Sequence, residues 1–130
     1  MKDPYTIEKI IETQKNVLLF STLKEDNKMA GFVLNYGTLH HIATVGSSID
    51  DHFKKAAWYL FSIANYAPFL QGNKRTARRI ATEVLIIGKP RYELVLNDES
   101  ITQFITKIGN PDCSFFEVES WLGKNIREIE

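Results

Sequence analysis

The chain has 130 residues and a mass of 14.9 kDa, the size of one domain with enough chain to bury a core. Its 44% hydrophobic and 25% charged content is ordinary for a globular protein. Sixteen basic residues balance sixteen acidic ones, which excludes a global field drawing in nucleic acid or an anionic membrane. Any basic site has to be local.

The opening stretch MKDPYTIEKIIE lacks the apolar run of a signal peptide. Cys113 is the single cysteine, so no internal disulfide forms, which fits a reducing cytoplasm. Asp3-Pro4 reads as a helix start, a capping side chain followed by a proline whose missing N–H costs nothing there. Ile7, Ile10, Ile11, Val17 and Leu18 then share one helical face. The polar run from Lys24 to Lys28 reads as a loop. Gly37 and Gly46 bracket a short helix holding Leu39 and Ile42.

Ser48-Ile-Asp-Asp resembles a helix N-terminus, followed by an apolar stripe of Phe53, Ala56, Ala57, Leu60, Phe61 and Ala64. The next helix opens near Gly72-Asn73, buries Ala77, Ile80, Ala81, Val84 and Leu85, and stops at Gly88 and Pro90. Tyr92–Leu96 is the strand candidate. Asn97 or Asp98 caps a helix with Ile101, Phe104, Ile105 and Ile108 inward, closed by Gly109. Ser114 and Glu117 have capping-box spacing ahead of Val118, Trp121 and Leu122. The reading is a single mainly α domain over residues 1–130, with at most a small β-hairpin.

The segment APFLQGNKRTARR, residues 67–79, holds four basic side chains around one Gly-Asn pair. It lies where a helix begins, and the first N–H groups of a helix have no internal partners and sit at the positive end of its dipole. Gly72 and Asn73 suit a tight backbone approach. Arg75 and Arg79 are four apart and Arg78 three from Arg75, so the guanidinium forks can converge on a polyphosphate. The competing reading is a solvated face paired with acidic neighbours. The segment contains no acid, histidine, cysteine or serine to do chemistry on what it holds. It is not a P-loop, since GxxxxGK[ST] is absent. His40, His41, His52 and Cys113 lack metal-ligand spacing and read as structural or surface residues. Trp58, Phe61, Phe69 and Trp121 read as core aromatics.

APFLQGNKRTAR resembles the signature of the Fic/Doc family, H-x-F-x-[DE]-[AG]-N-[GK]-R-x-x-R. Phe69, Gly72, Asn73, Lys74, Arg75 and Arg78 match at the right spacing. The preceding DDHFKKAAWYLFSIANY, and the later GKPRYELVLND and SFFEVESWLGKNI, are similar in layout to the death-on-curing (Doc) branch, over roughly residues 35–127. The resemblance implies a compact helical fold whose motif loop binds the phosphates of ATP or another nucleoside triphosphate with Mg²⁺. It implies transfer of AMP, or in the Doc branch of the terminal phosphate, onto a protein hydroxyl. The Doc branch is a toxin that acts on an elongation factor and is neutralised by an antitoxin protein; Lys74, where other members have glycine, points to that branch.

Carried over, Gly72, Asn73, Lys74, Arg75 and Arg78 bind nucleotide and Phe69 packs beneath the loop. Two positions depart from the pattern. The family's base histidine falls at Ala67, whose methyl group cannot take a proton. The acidic metal ligand falls at Gln71, a neutral amide that holds Mg²⁺ more weakly than a carboxylate does. An introduced His-to-Ala change and natural decay would both leave this sequence. The expectation is a Doc-like toxin disabled at Ala67, and the rival is a pseudoenzyme keeping the fold to bind nucleotide or a partner protein. A nucleic-acid-binding helical module is a third reading, disfavoured by the balanced charge.

Overall fold

The computed structural model describes residues 4–129. Helix α1 spans Ile7–Leu19 and α2 spans Lys24–Lys28; α3 is Tyr36–Ser47, α4 His52–Tyr66 and α5 Asn73–Ile87. Strand β1, Arg91–Leu94, follows, then α6 (Asp98–Ile108), α7 (Phe115–Lys124) and β2 (Ile126–Ile129). The domain is mainly α. Among the described residues the sheet pairs β1 with β2 antiparallel, Arg91 opposite Ile129 and Leu94 opposite Ile126.

Helix α4 is the centre. Every residue from Ala56 to Ala64 is buried, because α3, α5, α6 and α7 all pack against it. A helix hydrophobic on all sides belongs in the interior. Its most extensive partner is α5, which buries Ala77, Ile80, Ala81, Val84 and Leu85 and leaves its arginines on the outer side. Helix α1 packs across α5, with Ile10 and Leu18 fully buried. Of the four aromatics read as core, three are buried and Trp121 is partly buried against the core. Trp58, Phe61 and Phe69 are buried, and the Trp58 indole N–H donates to the Ile42 carbonyl at 2.9 Å. Phe104 and Trp121 stack flat on each other with centroids 3.9 Å apart.

Several boundaries differ from the sequence reading. Asp3 lies outside the described residues; α1 starts at Ile7, capped by Thr6, whose hydroxyl accepts the Lys9 N–H at 3.2 Å. Within Ser48-Ile-Asp-Asp, read as a helix N-terminus, Asp51 caps α4 by accepting the Lys54 N–H, while Ser48 closes α3 by donating to the Val45 carbonyl. The strand ends at Leu94 rather than Leu96. The largest change is at Lys24–Lys28, which is a short helix and not a loop. It carries a buried carboxylate, Asp26, and Asn27 ties it to α1 by donating to the Leu18 carbonyl at 2.7 Å.

Candidate functional site

The chain reverses between α4 and α5 through residues 67–72. Ala67 closes α4 in the left-handed conformation (φ 49°, ψ 65°) and is the one non-glycine residue at positive φ among the described residues. That conformation is costly for alanine, and such backbone persists only where its surroundings impose it. Gly72 is left-handed too (φ 84°) and caps α5; a Cβ there would lie 2.9 Å from Leu18 Cδ2. Glycine is needed both for the turn and for the approach of α1.

Asn73 holds the loop shut. The Phe69 N–H donates to Asn73 Oδ1 at 2.9 Å, and Asn73 Nδ2 donates back to the Phe69 carbonyl at 2.8 Å. This reciprocal pair seats Phe69 in the core at 1% exposure. A second strap runs alongside. The Leu34 and Asn35 N–H groups donate to the Pro68 carbonyl at 2.8 and 3.1 Å, and the Leu70 N–H donates to the Phe32 carbonyl at 3.3 Å. Gln14, fully buried on α1, pins the rest: Nε2 donates to the Gln71 and Met29 carbonyls, and Oε1 accepts the Gly31 N–H at 2.7 Å.

A pocket of about 400 Å³ opens over this loop, lined by Asn65, Ala67, Gln71, Gly72, Asn73, Lys74 and Arg75 among others. The structure therefore brings the residues carried over from the motif, Ala67 and Gln71 to Arg75, to one cavity. Arg78 is not among its lining residues; it lies on the outer face of α5 and pairs with exposed Asp98 at 2.6 Å. Lys74 is exposed, beside Gly109. The first bond across the start of α5 is Thr76 N–H to the Gly72 carbonyl, so the amides of residues 73–75 precede it, as an anion site requires.

Arg75 also reaches α2. Its Nη1 and Nη2 donate bidentately to Asp26 at 2.9 and 3.2 Å. The Asp26 carboxylate also accepts hydrogen bonds from Ser21 and from the Gln71 amide. The Arg75 hydrogen bond foremost, then that of Ser21, holds the Asp26 carboxyl down at about 2, against burial, which favours the neutral form. Arg75 and Arg78 thus both have carboxylate partners, as the solvated-face reading required, although the Arg75 partner is buried.

Mg²⁺ prefers carboxylate oxygens. Gln71 directs its amide N–H to Asp26, whose oxygens are already taken by Arg75, Ser21 and Gln71. The donor set does not fit a metal held by the protein. Among the described residues no group of three or more His, Cys, Asp or Glu side chains is placed to hold an ion. His52 instead stacks on Tyr92 and lies 2.6 Å from the Pro90 carbonyl, and His41 meets the edge of Trp58.

Asp26, Ser21 and Gln14 went unnoticed in the sequence. Gln14 had a signal, since it lies between Ile10 and Leu18 on the buried stripe at i, i+4 and i+8. Asp26 had none, standing in a run of five polar residues.

With this geometry in view, the Fic/DOC family matches residues 7–85, more than half of the chain. The chain belongs to the Fic/DOC family. The match begins well ahead of the layout noted from sequence, taking in α1 and the Asp26 helix, and it ends inside α5, before the C-terminal likeness. Members of this family generally transfer a nucleotide or phosphate from a nucleoside triphosphate to proteins. No curated protein and no solved structure matches the chain. Among the described residues no helix is long and apolar enough to cross a membrane.

Proposed function

We propose that this Fic domain binds a nucleoside triphosphate at the loop between α4 and α5 and is of the Doc type. Its chemistry is transfer of phosphate, or of AMP, to a protein hydroxyl, and it lacks the group that starts the reaction. The observation that carries this is the loop itself: Asn73, Gly72 and the strap to residues 32–35 keep it closed over a pocket with Lys74 at its rim. The amides of residues 73–75 and the Lys74 ammonium meet the phosphates, and Arg75 joins once it leaves Asp26. In the transfer, the hydroxyl oxygen attacks phosphorus, the bridging P–O bond of the triphosphate breaks, and the hydroxyl proton passes to a base. Position 67 lines the pocket, and its methyl group takes no proton. Any Mg²⁺ arrives with the phosphates, and no step here depends on it. An antitoxin and a hydroxyl-bearing target such as an elongation factor are the partners of this reading, in the cytoplasm.

A non-catalytic reading is favoured by one observation, the engagement of Arg75 and Gln71 by Asp26. There the fold binds nucleotide or a partner without transfer. Calorimetry with ATP and with GTP in the presence of Mg²⁺ tests what both nucleotide readings share. Lys74→Ala should weaken binding about tenfold, and Lys28→Ala, at an exposed position of α2, should leave it unchanged. Equal affinities for the two variants would remove the motif loop from the account.

A further inference from the structure

Strand β1 is paired on one side only. The Val95 N–H donates to the Asn125 carbonyl at 2.9 Å, in register with Arg91 opposite Ile129 and Glu93 opposite Arg127. Hydrogen-bonded and non-bonded pairs alternate along an antiparallel ladder. Arg91, Glu93 and Val95 therefore turn their backbone groups towards β2, and Tyr92 and Leu94 turn theirs away. Among the described residues nothing meets the outward N–H and carbonyl groups of Tyr92 and Leu94. This free edge opens on a groove of about 340 Å³, walled by Leu85 and Ile86 of α5, Ile101 of α6 and Leu96 between β1 and α6. Ile86 and Val95 are exposed apolar side chains beside it. The two charged residues of the groove are already matched, Arg78 by Asp98 and Glu93 by the Arg127 Nε at 2.6 Å.

From these features we propose that the β1 edge docks an extended, uncharged aliphatic segment of a partner protein, which adds as a third strand. An unpaired edge with apolar neighbours is a template for another chain. Tyr92 and Leu94 offer main-chain donors and acceptors, and alternate side chains of the added strand face the aliphatic wall. The matched charges leave nothing in the groove for an acidic or basic segment to neutralise. A second copy of this chain fits less well. Pairing both free residues across a two-fold axis sets Glu93 against its twin, and like charges directly opposite are destabilising. The groove shares no lining residue with the motif-loop pocket, so a docked partner leaves that pocket open.

The test adds an acetylated, amidated heptapeptide of alternating valine and threonine to the full chain and follows amide hydrogen exchange by NMR. In the free chain the Tyr92 and Leu94 amides should exchange faster than those of Arg91 and Glu93. The peptide should slow exchange at Tyr92 and Leu94, and its fully N-methylated form should not. Leu94→Pro removes one free donor without touching the ladder to β2, a position where edge strands accept proline. It should weaken peptide binding about tenfold. Ile86→Asp, at an exposed wall position, should weaken binding as well and keep the wild-type melting transition. No slowing at Tyr92 and Leu94, equal binding of the N-methylated peptide, or wild-type binding by Ile86→Asp would each overturn the site. A concentration-dependent dimer that Leu94→Pro abolishes would overturn the partner assignment in favour of self-pairing.

Discussion

The loop at residues 67–73 and the arginine face at residues 75–79 are adjacent in sequence but held in different ways. The loop is fixed from within the domain, by Asn73 on Phe69, by the strap from residues 32–35 and by Gln14. The arginine face is held by carboxylates from elsewhere, Asp26 on α2 and Asp98 on α6, while Arg79 is held by neither. The difference separates scaffold from chemistry. The loop is fixed by bonds within the domain, whereas Gln71 and Arg75 beside it are engaged by Asp26 and position 67 carries only a methyl group.

The comparison breaks most severely at Phe69. Removing a ring that is 1% exposed should cost about 3–5 kcal/mol, so Phe69→Ala should lower the urea midpoint more than any change on the arginine face. A midpoint near that of the wild type would mean the loop is not seated in the core. Asn73→Ala is next. It leaves the Phe69 N–H without its acceptor, at a cost of about 1–3 kcal/mol by thermal unfolding, and Asn73→Asp, which keeps an acceptor, should lose less. Equal losses would show that the clamp does not work through that bond.

The scaffold half of the comparison was largely legible in the sequence. The apolar stripes of α4 and α5, the Gly72 start and the Asn97 and Ser114 caps are local signals, set by period and capping chemistry. The chemical half was legible only where the motif spacing showed it, at Ala67 and Gln71. The Asp26–Arg75 pair joins residues 49 apart in sequence, and no local pattern distinguishes a buried acid in Lys24–Lys28 from its solvated neighbours. Strand β2 was missed for a similar reason, since Ile126–Ile129 is extended through pairing with distant β1.

Smaller effects sharpen the comparison at Ala67. The left-handed conformation penalises alanine by about 1–2 kcal/mol, and glycine gives back about 0.5–1 of this in backbone entropy. Ala67→Gly should therefore stabilise the fold by up to about 1.5 kcal/mol, read as a higher melting temperature. A lower one would mean the alanine methyl makes contacts that outweigh the strain. Asp26 gives a pH signature. Its folded value of about 2 lies below the ordinary 3.8, so the charged pair stabilises the fold above about 3.8, and that contribution is lost as pH falls towards 2. In Asp26→Asn this acid-side slope should flatten, and ATP should bind more tightly because Arg75 is released. An unchanged acid titration of stability would show that the pair does not hold α2 against α5.

The central claim is that the pocket binds a nucleoside triphosphate and lacks a base at position 67. Its most direct test is label transfer by Ala67→His in bacterial lysate, with ATP labelled in the γ- or the α-phosphate. The left-handed backbone at position 67 accommodates histidine more readily than most residues. A positioned base typically contributes about 10²–10⁴-fold in rate. The account predicts protein-bound label with Ala67→His and none with the alanine chain, the γ-label marking phosphate transfer and the α-label AMP transfer. Absence of both labels from a folded, ATP-binding Ala67→His chain would contradict it.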